Sequence, residues 1–322
     1  MVDTAGVFGY NNKVMKKIDY DILICGGGPA GLTAAVYAAR AGMKTAILEG
    51  TVTGGQAAIT DTVENYPGFK SVGGFALAEN MREQAEGLGA AVIYEPAVSF
   101  ALRGKIKKVT TSSGAYTANT VILAMGASPR RLGLENEGLL KGRGVSYCAT
   151  CDGAFYRGKD VIVAGGGNTA AEDALYLARI ANRVWVVHRR DALRADKVTA
   201  DKVVSDPKIT VLWDSVITEL TAEKRLTGAV IKNVKTGLTR IVAADALFVA
   251  VGQEPATKGL TVDGKPVVKL DANGYIWTNE HMNTNIRGVF AAGDIRNGVL
   301  KQIVTACADG AVAADSAIKY LQ

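Results

Sequence analysis

The sequence predicts an α/β protein built from two three-layer domains, with the second domain inserted in the first. A short apolar run followed by a glycine-rich turn and a helical segment occurs twice in the chain. Two further apolar strands, 120–128 and 245–252, lie on either side of the second copy. At 322 residues the chain also exceeds the usual size of one domain.

The first copy begins with a strand at 21–25 and continues through the glycine turn into a helix over 32–41. Gly26, Gly28 and Gly31 have GxGxxG spacing, which brings backbone N–H groups and a helix N-terminus against a pyrophosphate. The next strand, 44–48, ends in Glu49, whose carboxylate can accept ribose hydroxyls. This pattern predicts a Rossmann-like dinucleotide site; the alternative is a glycine turn without a ligand.

The second copy runs from a strand at 161–164 through Gly165 and Gly167 into a helix over 171–180. The same 23 positions separate Gly26 from Glu49 and Gly165 from His188. The acid of the first copy is here replaced by a basic cluster, which comprises His188, Arg189, Arg190 and Arg194. Such a cluster can bind a 2′-phosphate and therefore favours NADPH over NADH, unless it is only a solvated basic surface.

Between the two glycine turns stands a CxxC motif, Cys148 and Cys151, followed by Asp152. Two thiols at this spacing can close and reopen a disulfide, and an adjacent acid can protonate the leaving thiolate. Half of a zinc site and a purely structural dithiol are the alternatives. A zinc site needs four ligands, and the other cysteines, Cys25 and Cys307, stand far off in apolar segments.

Near the C-terminus a strand over 288–294 ends in Asp294 and is followed by an alanine-rich helix. Paired with the first glycine turn, Asp294 is placed to hold the ribityl chain of a flavin, although a turn cap is the simpler alternative. The predicted domains are a flavin-binding domain over 1–127 and 253–322 and an NADPH-binding domain over 128–252, which carries the dithiol.

The composition excludes several classes of protein. Hydrophobic residues make up 48% and charged residues 21%, the balance of a globular domain. The net charge of +6 is spread along the chain, so no nucleic-acid partner is expected. No apolar run approaches the ~20 residues that span a bilayer, and the basic segment 1–17 lacks the apolar core of a signal peptide. We therefore expect a cytoplasmic protein without a membrane partner.

The motifs GGGPAG, GGQ, ENYPG, CATCDG, GGGNTA, HRRDALRA and GVFAAGD occur in this order over nearly the whole chain. The sequence thereby resembles the low-molecular-weight, bacterial-type thioredoxin reductases. The resemblance implies a homodimeric enzyme that contains FAD, oxidises NADPH and reduces thioredoxin. It assigns to FAD the residues Gly26, Gly28, Pro29, Ala30, Glu49, Gly55, Gln56, Asn65, Gly126, Asp294 and Gln302. It assigns to NADPH the residues Gly165, Gly167, Asn168, Thr169, His188, Arg189, Arg190 and Arg194.

The resemblance also implies roles at the dithiol: Cys151 lies against the flavin, Cys148 attacks the partner disulfide, and Asp152 is the acid and base. The chain departs from the family pattern at four positions, Met125, Ala154, Arg287 and Lys301. Ala154 stands where the family commonly has an aromatic residue, which leaves Phe155 and Tyr156 as the apolar surface beside the dithiol.

Other functions are compatible with the same scaffold. The flavoprotein of a peroxide-reducing system carries an extra thioredoxin-like domain, which we do not expect in this protein. Ferredoxin-linked reductases and dithiol oxidases lack the HRRxxxR cluster. A reductase of another thioredoxin- or glutaredoxin-like protein and a non-enzymatic flavin redox sensor remain as alternatives.

Overall fold

The computed structural model describes residues 18–50, 53–60, 62–262 and 265–322. The prediction that segment 1–17 is no export signal falls outside these residues. The strands, in chain order, are β1 (Tyr20–Cys25), β2 (Thr45–Leu48), β3 (Ala91–Ile93), β4 (Ser99–Ala101), β5 (Lys107–Thr110), β6 (Ala115–Leu123), β7 (Ala127–Pro129), β8 (Val145–Ser146), β9 (Asp160–Gly165), β10 (Arg183–Val187), β11 (Ile209–Leu212), β12 (Ser215–Ala222), β13 (Leu226–Asn233), β14 (Thr239–Ala243), β15 (Ala246–Ala250), β16 (Gln253–Pro255), β17 (Thr261–Val262), β18 (Lys265–Pro266) and β19 (Val289–Ala291).

The α-helices are α1 (Pro29–Arg40), α2 (Gly55–Ala58), α3 (Gly74–Gly87), α4 (Ala149–Asp152), α5 (Asn168–Ala178), α6 (Lys197–Ser205) and α7 (Ile303–Leu321). There are also two short 3-10 helices: Gly153–Tyr156 directly follows α4, and Gly293–Ile295 lies between β19 and α7. Helix α1 begins three residues earlier than the pattern predicts, because Pro29 occupies its first turn, where a missing N–H costs no hydrogen bond. Within the described ranges, no helix combines the length and the apolar composition needed to cross a bilayer.

The first sheet has the order β3-β2-β1-β6-β5-β4, and β19 also pairs with β6. Strands β1, β2, β3, β6 and β19 pair in parallel, whereas β4 and β5 form an antiparallel extension. One face of this sheet packs on α1, α3 and α7 through a core rich in alanine. Its other face packs on segments around Leu260, Val268 and Ile276. The first glycine turn follows β1, so it lies at the carboxyl edge of the parallel strands.

The second sheet has the order β11-β10-β9-β15-β8 and is parallel throughout. Helix α5 covers one face with Ala170, Ala171, Ala174 and Leu177. The antiparallel meander β12-β13-β14 covers the other face through residues such as Leu220 and Ile231. Each unit is therefore layered around a wholly or mainly parallel sheet, and the predicted α/β class is confirmed.

The chain passes between the two sheets at β7 and β16, which pair with each other as an antiparallel ribbon. The apolar run 120–128 is therefore not one strand, as the sequence pattern suggested. It breaks between Leu123 and Ala127, where Gly126 adopts a φ of +70° that other residues rarely adopt. The paired ribbon keeps both crossings at one place in the fold.

Candidate active site

A cleft at the carboxyl edge of the first sheet gathers residues from seven separate segments of the chain. It is lined by ten of the eleven residues predicted to hold FAD: Gly26, Gly28, Pro29, Ala30, Glu49, Gly55, Gln56, Gly126, Asp294 and Gln302. The eleventh, Asn65, does not line the cleft, but its Nδ2 donates a hydrogen bond to Gln302 Oε1 at 3.0 Å. The fold thus assembles these residues at one site.

The glycine turn of this cleft leaves no space for side chains at Gly26 and Gly31, and at Gly28 it keeps the cleft open for a ligand. A Cβ on Gly26 would lie 2.4 Å from the carbonyl oxygen of Ala124, and one on Gly31 would lie 1.9 Å from that of Gly26. A Cβ on Gly28 would meet no protein atom within 4 Å and would occupy the cleft. Helix α1 starts at this turn without a side-chain cap or an acid in its first turn. Its free N–H groups fit a pyrophosphate.

The repeat predicted from the sequence has a geometric counterpart. Glu49 Oε2 accepts a hydrogen bond from the backbone N–H of Gly27 in the first turn. At the equivalent place in the second turn, the ring of His188 lies against Gly166, where a Cβ would be 2.1 Å from His188 Nδ1. The side chain at the end of the second strand therefore contacts the middle glycine of the turn in both units.

The second glycine turn opens helix α5, which also lacks a side-chain cap and an acid in its first turn. Gly165 and Gly167 flank the turn, and Asn168 and Thr169 begin the helix. Asn168 Nδ2 donates to Asp196 Oδ2 at 3.0 Å, and Asn168 Oδ1 accepts from the N–H of Asp196 at 2.8 Å. Asn168 thereby ties the turn to the loop that follows β10. Asp196 was not singled out by the sequence pattern, because the two residues are far apart in the chain.

The basic cluster divides into one buried and three exposed side chains. Arg189, Arg190 and Arg194 are exposed, and the N–H of Arg194 donates to the carbonyl of Gly166 at 2.6 Å. His188 is only 5% exposed, and its Nε2 lies 3.0 Å from the carbonyl oxygen of Ala192. Burial and the three neighbouring arginines lower the pKa of His188. The arginines are thus free to meet a phosphate, whereas His188 supports the loop.

The two cysteines of the CxxC motif form a disulfide in the structure, with 5.3 Å between the Cα atoms of Cys148 and Cys151. Cys148 precedes the single-turn helix α4, which contains Cys151 and Asp152, and Cys148 Sγ lies 3.4 Å from Thr150 Oγ1. Cys25 is fully buried, and burial raises its pKa to about 12, so it is an inert thiol. Among the described residues, no group of three or more potential ligands gathers that could hold a metal ion.

A buried serine that the sequence pattern did not single out joins the members of the dithiol site. Ser146 Oγ donates to Asp152 Oδ2 at 2.6 Å and accepts from the N–H of Cys148 at 3.1 Å. Ser146 ends strand β8, whose pairing with β15 fixes its backbone in the second sheet. The acid and the first cysteine are therefore positioned by one hydroxyl group.

A buried carboxylate fixes the segment that leads to the dithiol. Glu137 is 1% exposed, and its oxygens accept hydrogen bonds from the N–H groups of Leu132, Gly133 and Leu134 at 3.0, 2.8 and 3.3 Å. It also accepts the hydroxyl of Tyr147, which directly precedes Cys148, at 2.8 Å. Burial and this bond raise the pKa of Tyr147, so the hydroxyl remains a donor. Glu137 thus links the loop after β7 to the dithiol segment.

At the cleft of the first sheet, the backbone around Asp294 is held by a half-buried lysine. Lys301 Nζ donates to the carbonyls of Asp294 and Arg296 at 2.8 and 3.2 Å and lies 4.1 Å from the centroid of the Tyr275 ring. Burial lowers the pKa of Lys301 and raises that of Asp294, while each charge opposes the shift of the other. The departure from the family pattern at Lys301 therefore retains a cation that donates to backbone carbonyls.

Two glycine turns for nucleotides and a disulfide next to an acid define a redox protein that connects a pyridine nucleotide with a dithiol. Residues 20–310 match the family described as pyridine nucleotide-disulphide oxidoreductase. The protein belongs to that family.

Curated relatives and solved structures agree with this assignment. The thioredoxin reductase of Treponema pallidum (strain Nichols) is 45% identical over 95% of this chain and 98% of that protein. The crystal structure of the thioredoxin reductase from Streptococcus pyogenes MGAS5005 is 43% identical and superposes with a TM-score of 0.85 over 94% of this chain and 98% of that one. The thioredoxin reductase of Lactococcus lactis, in its FR conformation, is 42% identical and has a TM-score of 0.66 over 94% and 99% of the two chains.

Proposed function

We propose that the protein is an NADPH-dependent thioredoxin reductase, which passes electrons through FAD and the Cys148–Cys151 pair to the disulfide of thioredoxin. The observation that carries this proposal is the position of the dithiol. It belongs to the unit with the second glycine turn, yet Thr150, between the two cysteines, accepts a hydrogen bond from Gln302 of the flavin cleft at 3.3 Å. The CxxC motif therefore lies beside the cleft that is lined by the residues proposed to bind FAD.

The residues of the two nucleotide sites have separate tasks. When bound, FAD would supply the two-electron carrier between the pyridine nucleotide and the disulfide. The turn Gly26–Gly28 and the N-terminus of α1 would bind its pyrophosphate, Glu49 its ribose and Asp294 its ribityl chain. The turn Gly165–Gly167 would bind the pyrophosphate of NADPH. Arg189, Arg190 and Arg194 would bind the 2′-phosphate by charge-assisted hydrogen bonds.

The dithiol then reduces the partner by disulfide exchange. The thiolate of Cys148 attacks one sulfur of the thioredoxin disulfide, which forms a mixed disulfide and releases the other thioredoxin sulfur as a thiolate. Cys151 next attacks Cys148 Sγ, which restores the Cys148–Cys151 disulfide and releases reduced thioredoxin. Asp152 delivers the proton that the leaving thiolate needs and removes the proton from the attacking thiol. Two electrons and two protons leave the enzyme in each cycle.

The proposed electron path implies that the dithiol unit moves. The nicotinamide and the disulfide both belong to the inserted unit, and both must reach the flavin, which cannot hold them at once. We infer that the unit rotates about the ribbon of β7 and β16, the two crossings of the chain. Two relatives of nearly equal identity, 43% and 42%, superpose with TM-scores of 0.85 and 0.66. Such a difference in overall shape at equal sequence similarity supports a variable arrangement of the two units.

The further proposals concern assembly and compartment. A homodimer is implied by the family resemblance and supported by exposed apolar side chains on neighbouring elements, namely Ile59, Phe69 and Phe75. Ile59 directly follows α2 and Phe75 lies in the first turn of α3, and the two helices pack together. A cytoplasmic location fits a dithiol that must be reduced in each cycle. Analytical ultracentrifugation of the wild type and of Phe75→Asp tests the dimer. The variant should dissociate into monomers at a higher protein concentration than the wild type does.

The activity is tested with purified protein. We expect a bound flavin that NADPH reduces much faster than NADH, and NADPH consumption that depends on oxidised thioredoxin. A panel of oxidised glutaredoxin-like proteins in the same assay distinguishes thioredoxin from other partners. A flavin that NADPH reduces, with no disulfide protein accelerating NADPH consumption, would indicate a redox sensor and contradict the proposal.

A further inference from the structure

Ser146 has a more specific place in the site than the motif around it indicates. Its side chain is 4% exposed, and it is the last residue of β8, which pairs with β15. Three groups lie within hydrogen-bonding distance of Ser146 Oγ: Asp152 Oδ2 at 2.6 Å, the N–H of Cys148 at 3.1 Å and the carbonyl oxygen of Cys148 at 3.3 Å. One hydroxyl therefore contacts both polar backbone groups of Cys148 and the carboxylate of Asp152.

The hydroxyl has one proton but two possible acceptors. The 2.6 Å contact is typical of a charge-assisted O–H···O⁻ bond, whereas the 3.3 Å contact is long for a hydroxyl donor. Ser146 therefore donates to Asp152 while that carboxylate is ionised, and its oxygen accepts the N–H of Cys148. This bond favours the ionised form of Asp152.

Protonation of Asp152 changes this pattern without moving any heavy atom. A protonated Asp152 can donate to Ser146 Oγ, which leaves the serine proton free to turn to the carbonyl of Cys148. Two other titratable groups, the Lys141 ammonium and the Tyr156 hydroxyl, also interact with Asp152 electrostatically. Neither of them forms a hydrogen bond with Ser146 among the contacts given above. The serine differs from both because it contacts the backbone of Cys148 directly.

We propose that Ser146 is a positioning residue that couples the protonation state of Asp152 to the backbone of Cys148. When Asp152 gains or loses its proton, the hydrogen bonds between Ser146 and Cys148 change with it, and the attacking sulfur of Cys148 is oriented in the same step. This inference rests on the proposed acid and base role of Asp152. It concerns only the exchange between the dithiol and the partner, because the transfer from NADPH to flavin involves neither residue.

The test compares Ser146→Ala, Ser146→Thr, Asp152→Asn and the control Ser215→Ala in stopped-flow experiments between pH 5 and 9. Ser215 is also buried, and its hydroxyl donates to the carbonyl of Trp213 at 2.6 Å, away from the dithiol. Flavin content and the rate of flavin reduction by NADPH report whether each variant is folded. The rate at which oxidised thioredoxin reoxidises the two-electron-reduced enzyme reports the exchange.

For Ser146→Ala we expect normal flavin reduction, an exchange rate about tenfold lower and a midpoint of the pH profile shifted upwards by about one unit, since one charge-assisted bond is lost. Ser146→Thr, which retains the hydroxyl, and Ser215→Ala should keep the wild-type midpoint. A wild-type rate and midpoint in Ser146→Ala, while Asp152→Asn is slow, would overturn the inference alone. Equal shifts in Ser146→Ala and Ser146→Thr would also overturn it. Normal exchange in Asp152→Asn would instead remove the role of Asp152 on which it rests.

Discussion

Gln302 Nε2 donates a hydrogen bond to Thr150 Oγ1 at 3.3 Å, although the two residues are 152 positions apart. Gln302 starts α7 on the flavin side of the molecule, and its Oε1 accepts from Asn65. Thr150 lies between the two active-site cysteines. This contact joins the dithiol unit to the flavin cleft in one particular arrangement, and the proposed rotation must break it.

The first prediction tests that rotation. One cysteine introduced on each side of the Gln302–Thr150 contact, outside residues 148–152 and in a Cys307→Ser background, allows a short bismaleimide to join the two units while the Cys148–Cys151 disulfide protects the active thiols. We expect the crosslinked enzyme to lose steady-state thioredoxin reduction, because NADPH cannot reach the flavin in this arrangement. The two single-cysteine variants, treated identically, serve as controls. Normal turnover by a fully crosslinked sample would exclude the rotation.

The second prediction concerns the selection of NADPH. Replacement of Arg189 and Arg190 together by glutamine should raise the KM for NADPH at least tenfold with little effect on NADH, because each charge-assisted bond to a phosphate contributes ~1.5–3 kcal/mol. The control is the double variant Arg157→Gln/Arg179→Gln, which removes the same charge from exposed positions in the same unit. An equal rise in the KM for NADPH and for NADH would show that the two arginines do not bind the 2′-phosphate.

The third prediction concerns Glu137 and Tyr147. Glu137→Gln should lower the free energy of unfolding by about 2 kcal/mol or more, since a buried amide replaces a carboxylate that accepts four hydrogen bonds. Tyr147→Phe removes only one of those donors and should cost about 1 kcal/mol. Urea denaturation monitored by tryptophan fluorescence measures both. The order of the two effects is the diagnostic result, and a larger loss in Tyr147→Phe would contradict the assignment.

The fourth prediction concerns stability against pH. Burial and the neighbouring Glu172 raise the pKa of Asp173 from 3.8 to about 7. The folded state therefore binds a proton that the unfolded state has released between pH 4 and 7, and the stability associated with that proton is lost as the pH rises through this window. We expect Asp173→Asn to abolish this loss and to be more stable than the wild type at pH 8. Glu172→Gln, at the adjacent exposed position, should change the profile only slightly. Parallel pH profiles for the wild type and Asp173→Asn would refute the assignment.

The sequence predicts the parts of the fold that depend on short-range patterns. Both glycine turns follow from steric needs that any strand, turn and helix of this kind share, so the equal spacing of Glu49 and His188 corresponds to equal geometry. The break of the apolar run at Gly126 could not be predicted, because a positive φ at a glycine is set by tertiary contacts. The individual flavin and NADPH contacts and the domain boundaries stay predictions.

Within the site, the sequence predicts the redox chemistry of the two cysteines, but it does not predict the residues that hold the cysteine segment in place. Ser146 and Glu137 resemble ordinary loop or strand residues in the sequence, and their roles follow only from burial beside Asp152 and Tyr147. The side chain of Asn168 bonds to Asp196, and the contact of Asn168 with NADPH stays a prediction. Such partners are brought together by the sheet, which no local pattern reveals.

The central claim is that electrons pass from NADPH to thioredoxin through the Cys148–Cys151 pair. The most direct measurement is a stopped-flow comparison of the wild type with Cys148→Ser and Cys151→Ser, each mixed first with NADPH and then with oxidised thioredoxin. We expect NADPH to bleach the flavin absorbance in all three proteins, and only the wild type to release reduced thioredoxin over repeated turnovers. Thioredoxin reduction at near wild-type rate by either variant would contradict the claim.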